Sequence, residues 1–163
     1  MAKNKEEKTN VMRVLEQKKI AYTAHTYPHE EGVAVDGVTV AQSMGFDPAA
    51  VFKTLVARGA SKQYYVFDVP VAENLDLKKA AKAVGEKSIE MIHQKELLPL
   101  TGYVHGGCSP VGMKKLFPTV IDASAENLET MIVSAGKIGY QVELAPRDLA
   151  ALVRASFADL VAE

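Results

Sequence analysis

The chain has 163 residues, enough for one domain with a substantial core. Its 48% hydrophobic and 24% charged residues are ordinary globular values, and a net charge of −1 excludes a protein that lives on bulk attraction to phosphate. One cysteine excludes an internal disulfide and fits a reducing, cytoplasmic setting, and no apolar run approaches the ~18 residues of a membrane span.

Met1–Lys8 is charged, lacks an apolar h-region, and reads as a tail before a single domain over 9–163. Thr9 or Asn10 caps an expected helix to about Lys19, with Val11, Met12 and Leu15 on its apolar side. Ala21–Tyr27 alternates and is rich in β-formers, so a strand is expected there, followed by a loop over Glu30–Gly37. Thr39 is expected to cap a short helix, Val40–Met44, and Asp47-Pro48 opens another turn. Val51–Arg58 reads as a central strand because both its faces are mostly apolar, and Gln63–Val69 returns as its hairpin partner. Asp76 caps a helix over Leu77–Val84 with Lys78, Lys79 and Lys82 turned outward, either a solvated face or a contact to an RNA backbone. Ser88–Ile92 is a short strand, and His93–Leu98 a helical turn ended by Pro99. Strands follow at Thr119–Asp122, Met131–Ser134 and Tyr140–Leu144, with a short helix at Ala125–Thr130. Pro146 opens a last helix, Arg147 to about Leu160, whose stripe is Leu149, Leu152, Val153, Phe157 and Leu160. Mixed strands and helices with several hairpins make the class α+β with a mixed, curled sheet.

Two features carry chemistry. The stretch from Gly102 to Gly112 holds four glycines and a proline in eleven residues. It is a turn without the Lys beside Ser/Thr of a phosphate-binding P-loop, so what it offers is bare backbone N–H for a carbonyl or hydroxyl, or simply a tight connection. The second is Lys53, an ammonium on an apolar strand, which needs an anion, a carbonyl cluster or a wet pocket unless it guards a sheet edge. Other readings use Cys108 with His105 or His93 as a nucleophile–base pair, or the pairs His25/His29 and His105/Cys108 as zinc ligands. A non-catalytic adaptor for RNA or a synthetase is a further alternative.

Three stretches together resemble the YbaK/EbsC family of free-standing aminoacyl-tRNA deacylases, related to the editing domain of bacterial prolyl-tRNA synthetase. They are Val51-Phe52-Lys53-Thr54-Leu55, the loop Gly102-Tyr103-Val104-His105-Gly106-Gly107-Cys108-Ser109-Pro110-Val111-Gly112, and Val133-Ser134-Ala135-Gly136-Lys137. The likeness runs from about Val11 to about Leu160, and the loop looks most like the branch acting on cysteinyl-tRNA(Pro). The resemblance implies a barrel-like sheet with helices packed outside, no metal and no cofactor. It implies that the substrate's own thiol attacks its ester while the protein aligns the atoms. On that reading the Gly106–Gly107 amides hold the carbonyl, and Lys53 engages the terminal adenosine or its phosphate. Thr54 and Ser134 give hydroxyl hydrogen bonds, and Tyr27 walls the pocket. Ser109, Pro110 and Gly136 belong to the same substrate-binding motifs, and Cys108 falls at a variable position. Asp36 stands where well-studied relatives carry phenylalanine, and Gln141 where they carry aspartate; both departures bear on selectivity. The implied partners are the 3′ end of a mischarged tRNA and prolyl-tRNA synthetase, with no membrane and no DNA.

Overall fold

The structure, a computed structural model, describes residues 8–30 and 32–163. The expected tail therefore lies, except for Lys8, outside the described residues. Helix α1 (Asn10–Gln17) is capped by Thr9, whose hydroxyl accepts the Met12 N–H at 3.3 Å, and it buries Val11, Met12 and Leu15. Strand β1 (Thr23–Thr26) leads to helix α2 (Gly37–Ser43). The cap of α2 is Asp36, not Thr39. The Asp36 carboxylate accepts from the Thr39 N–H at 3.2 Å, so the helix starts three residues earlier than Val40.

A 3-10 turn (Pro48–Ala50) delivers the chain into β2 (Phe52–Gly59), which pairs with β3 (Tyr64–Pro70) as an antiparallel hairpin. Helix α3 (Leu77–Val84) follows its Asp76 cap. Lys79 stays at the surface but is paired there: its ammonium meets Asp159 at 3.0 Å and the Val161 carbonyl at 2.8 Å. Beyond β4 (Ile89–Met91), helix α4 (Gln94–Thr101) runs through Pro99. Pro99 gives up one N–H without ending the helix, and the last turn is closed by two further donors. The Thr101 hydroxyl reaches the Leu97 carbonyl at 2.7 Å, and the Gly102 N–H reaches Leu98 at 2.8 Å.

Strand β5 (Thr119–Asp122) precedes a 3-10 segment (Ala123–Asn127) that begins earlier than the expected helix. Strands β6 (Met131–Ser134) and β7 (Tyr140–Leu144) follow. The expected long terminal helix is instead α5 (Pro146–Val153) and a strand, β8 (Ser156–Ala158). Arg154 takes a left-handed conformation (φ 58°) and stops the helix. The segment after it adds to β5 as a parallel edge strand, and the Leu160 N–H donates to Asp122 at 2.9 Å.

The strands form two sheets, β1-β7-β6 and β4-β2-β3-β5-β8. The architecture is the mixed α+β one expected, but the sheets do not close as a barrel; a parallel bridge between Val51 and Ile132 joins them. The largest core cluster lies across this joint, with Phe52, Met131, Val133, Val142 and Leu144 packed on Val11 and Leu15 of α1 and Leu149 of α5. The joint sets the start of β2 beside the end of β6 and the start of β7.

Candidate active site

A cleft of about 480 Å³ opens at that joint. β2 contributes Lys53 and Thr54, β6 contributes Ser134, β7 contributes Gln141, and Tyr27 follows β1. Asp36 at the start of α2, and His105, Gly106 and Cys108 of the glycine loop, complete its rim. Three stretches far apart in sequence therefore converge. Of the residues expected at the site, Tyr27, Asp36, Lys53, Thr54, Gly106, Ser134 and Gln141 line this cleft, whereas Gly107, Ser109, Pro110 and Gly136 do not.

Each lining residue is held by its own element. Lys53 is half-buried. Burial pulls its ammonium below the ordinary lysine range, while the charges of Asp36 and Glu73 push the other way. A cation on an apolar strand is thus only partly offset by two carboxylates, neither of them in a direct ion pair with it. The Thr54 hydroxyl donates to the Asp68 carboxylate at 2.6 Å across the β2–β3 pair. Ser134 and Gln141 face each other in the β6–β7 register. The Ser134 hydroxyl accepts the Gly136 N–H at 3.1 Å, a bond that leaves its own proton uncommitted. Gln141 is buried, and its Oε1 has no hydrogen-bond partner among the described residues. Such an acceptor is costly unless a ligand donor meets it.

The loop between α4 and β5 is wrapped by its own hydrogen bonds. The Tyr103 hydroxyl donates to the Val111 carbonyl, and the Ser109 hydroxyl accepts the Val111 N–H at 3.2 Å. Ser109 is fully buried, so its hydroxyl serves the turn. The two glycines differ. The Gly107 N–H is donated to the Val104 carbonyl at 3.0 Å, so it does not point at a substrate as expected. Gly106 lies at φ +90°, is exposed, and makes no backbone hydrogen bond among the described residues. A Cβ on Gly106 would come within 2.7 Å of Ala34, and one on Gly107 within 3.1 Å of the Ile138 nitrogen. Both positions need glycine for packing as well as for any approach of substrate.

The competing site readings fare differently. Cys108 is buried, and its thiol is pushed up to about 12 by that burial and by the nearby Asp68 charge. A thiol so disfavoured as thiolate is a packed side chain, not an activated nucleophile. Among the described residues no three His, Cys, Asp or Glu side chains gather into a metal-binding group. His25 instead pairs with Glu143 at 2.8 Å, and His29 with the Tyr27 carbonyl at 2.9 Å.

Sequence reasoning missed Asp68. It is fully buried, its second carboxylate oxygen lacks a partner among the described residues, and burial pushes it up to about 7. The signal was present: an acid inside Tyr64-Tyr65-Val66-Phe67-Asp68-Val69 is as anomalous as Lys53 on the paired strand.

The fold and the cleft define an α+β domain with a polar-floored cleft at the joint of two sheets. The chain belongs to the aminoacyl-tRNA editing domain family, whose model matches residues 32–152. It is 45% identical over 161 residues, 98% of each chain, to EbsC of Enterococcus faecalis, a candidate Cys-tRNA(Pro)/Cys-tRNA(Cys) deacylase. It is 28% identical over 100 residues, 61% of this chain and 17% of the ligase, to a proline–tRNA ligase of Shouchella clausii. Among solved structures, a candidate trans-editing enzyme for prolyl-tRNA synthetase matches with a TM-score of 0.79 at 26% identity. That match covers 94% of this chain and 95% of the other.

Proposed function

We propose that this protein is a trans-editing deacylase that clears cysteine from mischarged tRNA(Pro), acting in the cytoplasm at the 3′ end of the tRNA, alone or docked on prolyl-tRNA synthetase. The observation that carries the reading is the convergence of Lys53, Thr54, Gly106, Ser134 and Gln141 on one cleft in a chain of the editing family. The substrate sulfur bonds to its own ester carbonyl carbon as the C–O bond breaks, and the thiol proton ends on the departing ribose oxygen, leaving a cyclic thioester that water opens to cysteine. The chain supplies alignment instead of a nucleophile. Gly106 N–H is a loop amide at the cleft that could meet the carbonyl oxygen, where a fixed donor stabilises developing charge. Lys53 meets the terminal phosphate or adenosine. The neutral Gln141 and the acidic Asp36 shape selection among small amino acids.

Release of amino acid from cysteinyl- and seryl-tRNA(Pro) tests the reading. The seryl ester is nearly isosteric but a poorer nucleophile, so it should be released far more slowly; equal rates would point to an activated water and sink the thiol mechanism. Cys108→Ala should keep most of the rate, and a fall of three decades with the fold intact would restore the cysteine-hydrolase reading.

A further inference from the structure

We propose that Asp68, standing behind the cleft wall, fixes the direction of the Thr54 hydroxyl and so makes Thr54 a hydrogen-bond acceptor toward the substrate. The inference rests on the deacylase reading for what occupies the cleft. Its geometric basis is independent of that reading.

Thr54 lines the cleft, whereas Asp68 is fully buried and does not. The two face each other across β2 and β3, 2.6 Å apart from oxygen to oxygen. That separation belongs to the short class in which a hydroxyl donates to an ionised carboxylate. A hydroxyl has one proton and two lone pairs, and a carboxylate can only accept. With Asp68 ionised, the Thr54 proton is committed inward and its lone pairs remain for the cleft. The matching donors on an aminoacyl ester are its amino group and, for cysteine, the thiol that must be aligned for attack.

Protonated Asp68 inverts this. The acid proton then goes to Thr54, its one polar partner among the described residues, and the hydroxyl turns its own proton outward. Donor would then face donor in the cleft. Burial pushes Asp68 up to about 7, and the Thr54 hydrogen bond partly opposes that, so the inversion falls in the working range. The groups around it do not override this. Cys108, on the loop side, has its thiol held up to about 12 and stays neutral, and Lys53, on β2 beside Thr54, feels Asp36 and Glu73.

The test compares kcat/KM for cysteinyl-tRNA(Pro) deacylation by the wild type and Asp68→Asn between pH 6 and 8. Substrate titrations are common to both enzymes and cancel in the ratio. With a midpoint near 7, the ratio of wild type to variant should fall about tenfold from pH 8 to pH 6, because kcat/KM reports the free enzyme. In a Thr54→Val background Asp68→Asn should leave no such slope. A flat ratio in the Thr54 enzyme overturns the inference, since a merely structural carboxyl would change stability without tilting the profile.

A second readout stands apart from turnover. The infrared band of the protonated carboxyl, assigned by its loss in Asp68→Asn, should titrate at higher pH in Thr54→Val, where the donor to the ionised form is gone. An unmoved midpoint overturns the inference whether or not the protein deacylates. A moved midpoint in a protein that releases no amino acid from either ester supports the Asp68–Thr54 coupling and overturns the deacylase reading alone.

Discussion

Lys53 and Asp68 are two side chains that an apolar hairpin does not need, and each is costly to the fold in its own way. Lys53 is half-buried and its ammonium is disfavoured by that burial. Lys53→Met keeps the stem and removes the charge, so the melting temperature should hold or rise. The deacylation rate should fall by roughly two to four decades, the range for losing a charge that stabilises a transition state. A destabilised but fully active Lys53→Met would assign the lysine to the scaffold. Asp68 has the clearer pH signature. Its folded-state value, about 7, is raised above the unfolded carboxyl near 3.8. The native state therefore binds more protons than the unfolded state between these values, and stability must fall as pH rises through that window. At 1.36 kcal/mol per unit, the loss is on the order of 4 kcal/mol and is complete above neutrality. Asp68→Asn should abolish this slope, making the variant the more stable protein at pH 8 with the difference shrinking toward pH 5. Urea midpoints at the two pH values measure it, and a difference that grows toward low pH would mean the carboxylate is stabilised rather than desolvated.

At the scale of elements, most of the fold was legible because its periods are clean. The hairpin expected of Val51–Arg58 and Gln63–Val69 forms with Phe52–Arg58 paired to Tyr64–Pro70, and Asp76 caps α3 as its position before Leu77 required. What was not legible has physical causes. Leu149, Leu152, Val153, Phe157 and Leu160 fit a 3.6-residue stripe, and the same spacing arises when a short helix is followed by an edge strand. The stop between them is Arg154 in a conformation usually announced by glycine, so the sequence carried no warning. The site was legible in outline through Lys53 and the glycine loop. That the Gly107 amide is committed depends on the Val104–Gly107 turn, a hydrogen bond that composition does not encode. Asp68 went unseen because an apolar strand was read by its majority. The helix stop makes a prediction whose sign discriminates the two readings. Arg154 is exposed and sits at φ 58°. Arg154→Gly should stabilise the protein by roughly 0.5–1 kcal/mol by relieving the left-handed cost. In a continuous helix the same change would destabilise by about 1 kcal/mol. Chemical denaturation separates the two outcomes.

At the scale of the whole molecule, the charge balance constrains how a tRNA is engaged. Nineteen Lys and Arg stand against twenty Asp and Glu, so no long-range field draws in a polyanion. Lys79, in the most lysine-rich helix, is already paired with Asp159. The cleft, at about 480 Å³, is on the scale of a single small molecule and not of a helical stem. Lys53 is the cation at its wall, flanked by carboxylates that lower the local potential. Engagement should therefore be confined to the acceptor end, with about one or two phosphates neutralised. For single-stranded nucleic acid, counterion release then gives a slope of log(kcat/KM) on log[KCl] of roughly −0.7 to −1.4. A minihelix carrying only the acceptor stem and the charged 3′ end should be deacylated within a few-fold of the full tRNA. Measuring both quantities on one batch of enzyme decides between end recognition and surface capture. A slope steeper than about −4, together with a minihelix rate lower by two decades, would require a phosphate-binding face elsewhere on the molecule, and Lys78, Lys82 and Lys87 would be the first places to look for it.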